Sequence, residues 1–323
     1  MSPTETLLDS IAADLEEFER RLHATVAVDL GPMAEAMEHI VNAGGKRLRP
    51  ALVILGARLG DADPNHVHSL AMGLEFIHTA TLIHDDLIDD AQTRRGLATI
   101  HAMLGANPAI IVGDYYFAKG ANLTSSIGMP RIDEVVSATV MTICMGELLQ
   151  MVSRCDFFQT VEAYDAKIER KTAALLSACT YGGALVAGIE EHAALALKRY
   201  GTLLGMAFQM ADDVLDYVAT AEQVGKPTGA DLKQGTVTLP LMYALDDPTV
   251  STRLREVLAR EHLRDEDYDE VVSLVRGSAA IARSEARAHE FSELALGELT
   301  VFPDSPARRT LESLCDYVVE RRY

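Results

Sequence analysis

Residues 74–90 read LEFIHTATLIHDDLIDD, a mostly apolar stretch whose last six residues include four aspartates. On a helix, Asp85 and Asp89 lie on one face about 6 Å apart along the axis, and Asp86 and Asp90 form a second pair beside them. Carboxylates this close repel one another strongly unless a cation lies between them. The segment therefore indicates either a cation site or a solvated acidic helix end, and alone it does not decide between the two.

The same Asp-Asp-x-x-Asp spacing recurs at Asp212, Asp213 and Asp216, again after an apolar run at residues 203–211. Two isolated acidic patches on core helices are unfavourable, because buried charge needs compensation. Two patches that face each other across a cavity instead form an oxygen-rich site for several Mg²⁺ ions, which bind a few carboxylates together with phosphate oxygens. The pair of segments therefore predicts a magnesium site for a diphosphate ligand.

Two groups of basic residues support a phosphate ligand. Residues 44–50, GGKRLRP, place three cations on a turn that opens with glycines, where backbone N–H groups also meet phosphate. The pair Arg94-Arg95 directly follows the first acidic segment. Because arginine suits bidentate phosphate binding, both groups favour phosphate binding over a solvated turn when the acidic motifs are considered with them.

The composition of the 323 residues is that of a soluble globular protein, with 48% hydrophobic and 24% charged residues. A net charge of −19 leaves no basic surplus for the phosphates of a nucleic acid, so no nucleic-acid partner is expected.

The acidic N-terminal segment lacks the layout of a signal peptide. The cysteines at 144, 155, 179 and 315 have apolar neighbours and no zinc-site spacing, which predicts buried, reduced thiols and a cytoplasmic location.

Helical patterns run through almost the whole chain, and no alternating strand pattern appears. Because no long or low-complexity linker separates them, we predict one all-α domain over residues 1–323. Residues 172–189 carry no charge and reach the lower length limit of a membrane span, but their small and polar residues favour a buried helix, so no transmembrane segment is expected. The predicted breaks lie at 42–45, 61–65, 105–108, 128–130, 225–235, 246–248 and 302–306.

Taken in order, these motifs resemble the trans-isoprenyl diphosphate synthases, specifically the polyprenyl diphosphate synthases. Further matching segments are residues 75–86, Arg94-Arg95-Gly96, Gly113-Asp114, Gly146-Glu147, Lys171-Thr172-Ala173 and GKPTGADLKQGTVTLP at 225–240. Each segment alone is weak, but the ordered set covers nearly the whole chain and is specific. The resemblance implies a single large helical domain of the class I isoprenoid synthase type, with a central cavity, and a homodimer.

The resemblance also implies the reaction. Members of this family ionise an allylic diphosphate, such as farnesyl or geranylgeranyl diphosphate, with about three Mg²⁺ ions in each active site. The allylic cation is then attacked by the alkene of isopentenyl diphosphate, and the released diphosphate removes the proton. The cation must be shielded from water, because water hydrolyses it.

Site residues follow from the resemblance by their positions in the motifs. The catalytic set is Asp85, Asp86, Asp89, Asp212, Asp213, Asp216 and Lys171, of which Asp85, Asp89 and Asp212 bind the metal ions. The residues that contact the allylic diphosphate are Arg94, Lys171, Gln209 and Lys226, and Thr172 is a further substrate-binding residue. The residues that hold isopentenyl diphosphate are Lys46, Arg49, His78 and Arg95, although without the motif His78 would be taken for a hydrogen-bonded core histidine.

Thr236 departs from the family pattern, since many members carry lysine at this position. The change resembles the form seen in longer-chain synthases and means one diphosphate contact fewer. Whether the neighbouring Lys233 compensates is left open.

Product length depends on the helix before Asp85, which lines the tunnel for the growing chain. Short-chain members of the family tend to carry aromatic residues at the positions of Ala80 and Thr81, where they form a floor. The two small residues predict a deep tunnel and a C30–C50 product, with plain helix packing as the alternative for Ala80. Candidates for the tunnel floor are Val136, Val140 and Met141.

Three alternatives stay open. Within the family, the alternative is a short-chain synthase that makes farnesyl or geranylgeranyl diphosphate. A class I terpene cyclase also ionises diphosphates with magnesium, but its second motif is of the Asn/Ser/Glu type and it needs no second diphosphate site. A non-catalytic subunit of a heteromeric synthase loses the aspartates, whereas both motifs are intact here.

Overall fold

The computed structural model describes residues 7–26, 37, 38, 40, 47–94, 96–219 and 228–320. Within these ranges the chain is almost entirely helical, which confirms the all-α prediction. The chain divides into two compact units. Residues 1–140, 175–201 and 298–314 form the first unit, and residues 141–174, 202–297 and 315–323 form the second. Organisation as one domain over residues 1–323 stays a prediction.

The described helices, in chain order, are α1 (Ala12–Val26), α2 (Leu48–Ala57), α3 (Pro64–Ile88), α4 (Ile100–Leu104), α5 (Ala106–Ser125), α6 (Pro130–Val152), α7 (Val161–Ile168), α8 (Ala174–Val186), α9 (Glu191–Val218), α10 (Ala230–Lys233), α11 (Leu239–Leu245), α12 (Ser251–Leu258), α13 (Asp265–Gly277), α14 (Ala280–Glu298) and α15 (Pro306–Glu320). Short 3₁₀ segments lie at Asp9–Ile11 and Leu299–Val301, and a π-helical turn, Glu169–Ala173, joins α7 to α8. Strands β1 (Thr93–Arg94) and β2 (Leu97–Ala98) form an antiparallel ribbon in which Thr93 pairs with Ala98.

Several helix ends follow the predicted breaks because the local sequence supplies caps. The break predicted at 42–45 lies outside the described residues, and the break at 153–160 between α6 and α7 was not predicted. Asp63 caps α3 by accepting a hydrogen bond from the Asn65 backbone N–H at 2.8 Å, and Pro64 opens the helix. Pro130 likewise opens α6. Gly105 separates α4 from α5 with a φ of 92°, a left-handed value that suits glycine.

In the first unit, α3 packs against α5, with the rings of Phe76 and Tyr116 stacked at a centroid distance of 5.3 Å. Helix α3 is buried over most of residues 67–80 and becomes largely half-buried from Thr81 onward. Every residue of α8 from Leu175 to Val186 is buried, which confirms that the uncharged stretch forms a buried helix. The acidic motif of α3 therefore follows directly on the buried part of its own helix.

In the second unit, the core combines α7, the C-terminal half of α9 and helices α11 to α14. Helix α9 contributes Met206, Met210 and Tyr217, which recur at helical spacing and form its buried stripe. Tyr164 of α7 is fully buried in the same core. The second acidic motif lies on α9 between Met210 and Tyr217, so its aspartates alternate with core residues.

The structure differs from the sequence-based expectations in three places. The β1–β2 ribbon was not expected, because strands of two residues are too short to show an alternating pattern. Cys144 and Cys155 are exposed, so the prediction of buried thiols is wrong for them and confirmed for Cys179 and Cys315. Cys144 stands between the buried Ile143 and the exposed Met145, so apolar neighbours in the sequence do not show which face of the helix is buried.

Helix α6 is the third difference. By length and composition it could cross a membrane, the single such helix among the described residues, and 22% of its apolar window is buried. The sequence had directed attention to residues 172–189 instead. An exposed apolar face such as that of α6 is typical of an interaction surface, and it is considered below.

Candidate active site

The first aspartate motif lies at the C-terminal end of α3. Asp85 and Asp89 are half-buried, and Asp89 is the residue that caps the helix. Asp86 is buried, and Asp90, with a φ of 50°, is exposed on the turn that leads to the ribbon. The helical pair Asp85 and Asp89 and the neighbouring Asp86 therefore have different surroundings, although they share one motif.

Asp86 is paired with Arg94 of strand β1. The Arg94 Nε donates to Asp86 Oδ1 at 2.7 Å. Burial raises the pKa of the Asp86 carboxyl above its ordinary value, and the guanidinium of Arg94 opposes that rise. The unexpected ribbon thus brings Arg94, a predicted phosphate-binding residue, back to the acidic motif.

Helix α5 contacts the side chain of the residue that precedes Asp85. The His84 ring lies on Gly113, where a Cβ would come within 2.1 Å of His84 Nε2. The same Nε2 lies 3.3 Å from the Ile110 carbonyl oxygen and 3.8 Å from Asp114 Oδ1. This contact gives the Gly-Asp motif at 113–114 a physical reason, since a side chain at 113 would displace His84.

The second aspartate motif repeats this division of roles on α9. Asp212 and Asp216 are half-buried, whereas Asp213 is 2% exposed. The Tyr164 hydroxyl donates to Asp213 Oδ2 at 2.7 Å, and the Gln209 amide Nε2 donates to Oδ1 at 2.8 Å. Burial raises the pKa of Asp213 to about 8, against the lowering effect of these two hydrogen bonds.

The π-helical turn presents the two polar residues of the Lys-Thr-Ala motif. Thr172 Oγ1 donates to Gln209 Oε1 at 2.6 Å, so a chain of hydrogen bonds runs from Tyr164 through Asp213 and Gln209 to Thr172. Such turns are frequent at functional sites, because the extra residue changes the direction of the side chains. The orientation of the Gln209 amide is thereby set by partners at both of its ends.

Lys171, in the same turn, is held by helix α6. Its Nζ lies 2.8 Å from Glu147 Oε1 and 3.3 Å from Gln150 Oε1. Gly146 allows this approach, since a Cβ there would lie 2.8 Å from the Lys171 backbone nitrogen. The Gly-Glu motif at 146–147 therefore supports the predicted catalytic lysine, a role that sequence reasoning had not assigned.

Both motifs thus provide a half-buried pair of aspartates four residues apart and keep the middle aspartate inside the protein. Oxygen donors of this kind fit Mg²⁺, which takes a few carboxylates and completes its shell with water and phosphate oxygens. Among the described residues, no three His, Cys, Asp or Glu side chains come together as a complete metal site. The donor set therefore fits a metal ion whose remaining ligands come from a substrate.

The other predicted residues are placed as follows. Arg49 lies in the first turn of α2, and His78 lies half-buried on α3. Lys233 forms an ion pair with Asp269 at 3.2 Å, and its compensation for the lysine missing at Thr236 stays a prediction. Three predicted site residues lie outside the described residues, namely Lys46, Arg95 and Lys226.

The two predicted chain-length residues differ in their surroundings. Ala80 is fully buried, whereas Thr81 is half-buried and its Oγ1 donates to the His78 carbonyl oxygen at 2.7 Å. Of the proposed floor residues, Val136 is buried and Met141 is 71% exposed. Thr81 is therefore the better placed of the pair to contact a bound chain.

An all-helical fold with an Asp-Asp-x-x-Asp motif on each of two helices, and with cations held beside them, defines a class I isoprenoid synthase. A family profile described as Polyprenyl synthetase matches residues 32–275. The chain belongs to the polyprenyl synthetase family, and the prediction of a prenyltransferase is confirmed.

Individual relatives agree with this assignment. The chain is 40% identical over 317 residues to heptaprenyl diphosphate synthase component 2 of Geobacillus stearothermophilus, covering 98% of this chain and 97% of that protein. It is 36% identical over 285 residues to octaprenyl diphosphate synthase of Escherichia coli, covering 88% of each chain. A crystal structure of polyprenyl synthase from Caulobacter crescentus, complexed with calcium and isoprenyl diphosphate, matches with a TM-score of 0.92 at 34% identity, covering 99% of this chain and 98% of that one.

Proposed function

We propose that the chain extends an allylic diphosphate with isopentenyl diphosphate to a C30–C50 polyprenyl diphosphate. The observation that carries the proposal is the half-buried aspartate pair in each motif, next to cations that are held in place by other side chains. The small residues Ala80 and Thr81 favour a long product over farnesyl or geranylgeranyl diphosphate. The names of the heptaprenyl and octaprenyl relatives support the same choice.

Side chains of this protein perform the binding and charge stabilisation. Arg94, aligned by Asp86, and Lys171, held by Glu147, bind phosphate oxygens of the allylic substrate and stabilise the negative charge that develops as its C–O bond breaks. Arg49 and His78 hold isopentenyl diphosphate. Its alkene electron pair forms the new C–C bond, and the departing diphosphate takes the proton that is lost.

Asp85, Asp89 and Asp212 would hold the magnesium ions, which would neutralise charge on the leaving diphosphate. Gln209 and Thr172 orient the same diphosphate, and their mutual hydrogen bond sets the direction of the Gln209 amide. Holding both reactants in one geometry supplies a large part of the rate enhancement in two-substrate reactions of this kind.

The reaction is tested by following both substrates in the purified protein. We expect consumption of isopentenyl diphosphate and release of one diphosphate for each unit added, with complete loss after chelation by EDTA and recovery when Mg²⁺ is restored. Diphosphate release from farnesyl diphosphate without consumption of isopentenyl diphosphate would indicate a terpene cyclase instead. No turnover until a second polypeptide is added would indicate a heteromeric synthase, which the word component in one relative's name makes the alternative to examine.

We further propose a homodimer that pairs through the exposed face of α6, and a cytoplasmic location. Met141, Met145, Leu148 and Val152 recur at spacings of three and four, and they are all exposed, Val152 by 80%. This spacing is that of a coiled-coil seam. A two-fold axis pairs such a stripe with itself, so a second copy of the chain covers it without any further component.

The dimer is expected to dissociate when Met145 is replaced by glutamate, because the charge would be buried in the middle of the stripe. Light scattering after size-exclusion chromatography gives the mass, which should fall from about twice 35.1 kDa to that of one chain. Leu294→Glu is the matched control, since Leu294 is an exposed apolar residue on α14. A dimeric mass for Met145→Glu, or a monomeric parent protein that binds lipid vesicles, would overturn this interface.

A further inference from the structure

The basic segment at the start of α2 contains an arginine, Arg47, whose charge is paired with carboxylates of the same chain. Arg47 stands between Lys46 and Arg49, the two residues of this segment that were assigned to isopentenyl diphosphate. Its Nε and Nη2 donate to the two carboxylate oxygens of Glu19 on α1, and its Nη1 donates to Glu75 Oε1 on α3 at 3.0 Å. Each nitrogen of the guanidinium therefore has a carboxylate partner inside the protein.

The backbone of Arg47 requires such support. Its φ of 48° and ψ of 32° lie in the left-handed region, which is unfavourable for a residue with a side chain. Arg47 also begins α2, since its carbonyl oxygen accepts from the Ala51 backbone N–H at 3.0 Å. The two carboxylates thus hold a strained residue at the helix start, two positions before Arg49.

Glu75 is an unusual residue to find at its position. Its side chain is 10% exposed, and its Oε2 is buried with no hydrogen-bond partner among the described residues. A buried carboxylate with one unpaired oxygen is destabilising, so stability alone does not explain Glu75 at this position. Glu75 lies three residues before His78 on α3, at a spacing that places the two side chains on one helix face.

We propose that Glu75 and Glu19 are positioning residues for the isopentenyl diphosphate site, acting through Arg47. The Arg47–Glu75 ion pair fixes the first turn of α2, with Arg49, relative to the turn of α3 that carries His78. Glu19, on α1, is the other carboxylate partner of the Arg47 guanidinium. Through this contact the acidic N-terminal helix has a function in the site. This inference rests on the proposed function for its ligand, and the contacts that carry it lie within the first unit.

The test compares Glu75→Gln and Glu19→Gln with the control Glu17→Gln. Glu17 also lies on α1, but it pairs with Arg20 and Arg21 of the same helix. In steady-state assays we expect each of the first two variants to raise the KM for isopentenyl diphosphate about tenfold, with the KM for farnesyl diphosphate changed less than about twofold. The control should leave both constants unchanged. Unchanged isopentenyl diphosphate KM in both variants, or an equal rise for both substrates, would overturn the inference.

Hydrogen exchange tests the positioning without turnover. The Ala51 amide, bonded to the Arg47 carbonyl, is expected to exchange faster in Glu75→Gln and Glu19→Gln than in the parent protein and in Glu17→Gln. Equal exchange in all four proteins would overturn the inference even if elongation is observed. Absence of elongation in the parent protein would refute the proposed function, and the exchange result would still decide whether the two glutamates hold Arg47.

Discussion

Replacing Asp212 with asparagine is expected to slow elongation by about 1000-fold, whereas the same change at Asp213 is expected to slow it by about tenfold or less. Asp212 belongs to the half-buried pair on α9 and is a proposed metal ligand, so its replacement is expected to remove several kcal/mol of transition-state stabilisation. Asp213 is buried, and both of its oxygens accept hydrogen bonds from Tyr164 and Gln209. We therefore propose that Asp213 acts on the diphosphate indirectly, by holding Gln209.

The two variants are separated by their dependence on Mg²⁺ and on temperature. Asp212→Asn should need a higher Mg²⁺ concentration for half-maximal rate and unfold at the parent temperature. Asp213→Asn should keep the parent Mg²⁺ dependence but unfold at a lower temperature, because an asparagine amide presents a donor where Tyr164 or Gln209 already donates. Equal rate losses in the two variants, or a shifted Mg²⁺ dependence for Asp213→Asn, would contradict the division of roles within the motif.

Replacing Thr81 with phenylalanine is expected to shorten the main product by at least two isoprene units. Thr81 is half-buried in the turn of α3 before Asp85, where we expect a phenyl ring to add volume to the proposed tunnel. The sequence predicts the same effect for Ala80, but Ala80 is fully buried, so a ring there overpacks the core at about 1–3 kcal/mol. In Thr81→Phe, a shorter product can therefore be distinguished from a loss of protein stability.

Chain length is measured by chromatography of the dephosphorylated products. Leu82→Phe is the matched control, because it places the same ring one residue along the helix and about 100° around its axis. We expect it to keep the parent product length. An unchanged product in Thr81→Phe, with the parent unfolding temperature, would contradict the assignment of this helix turn to the tunnel.

Local patterns were sufficient to predict much of the fold. Proline, glycine and aspartate mark the starts of α3 and α6 and the break at Gly105, because capping depends on a few neighbouring residues. The spacing of Asp85 and Asp89, and of Asp212 and Asp216, likewise identified candidate metal ligands. These predictions required only the geometry of a single helix.

The partners of the middle aspartates could not be predicted in this way. Asp86 is buried and is paired with Arg94, which the two-residue ribbon brings back to it. Asp213 is buried and accepts a hydrogen bond from Tyr164, which lies 49 residues earlier in the chain. Such contacts depend on packing between distant segments. The Arg47 network is of the same kind, since 28 residues separate Arg47 from each of its two glutamates.

The exposed residues of α6 were missed for the opposite reason. Apolar composition suggests burial, and the sequence does not distinguish a helix covered by its own chain from one covered by a second copy. Both α8 and α6 are rich in apolar residues, yet Leu175–Val186 lies in the core while Met141 is 71% exposed. Hydrophobicity identified the stretch that forms α8 and did not single out α6.

The most direct test of the account is the size of the products that the purified chain makes without any other polypeptide. The protein is incubated with Mg²⁺, farnesyl diphosphate and labelled isopentenyl diphosphate, and the extracted products are separated by length. The account predicts a ladder of products that ends at C30 or beyond. Products that stop at C15 or C20 would contradict the long-chain assignment, and an absence of labelled product would contradict the proposed synthase itself.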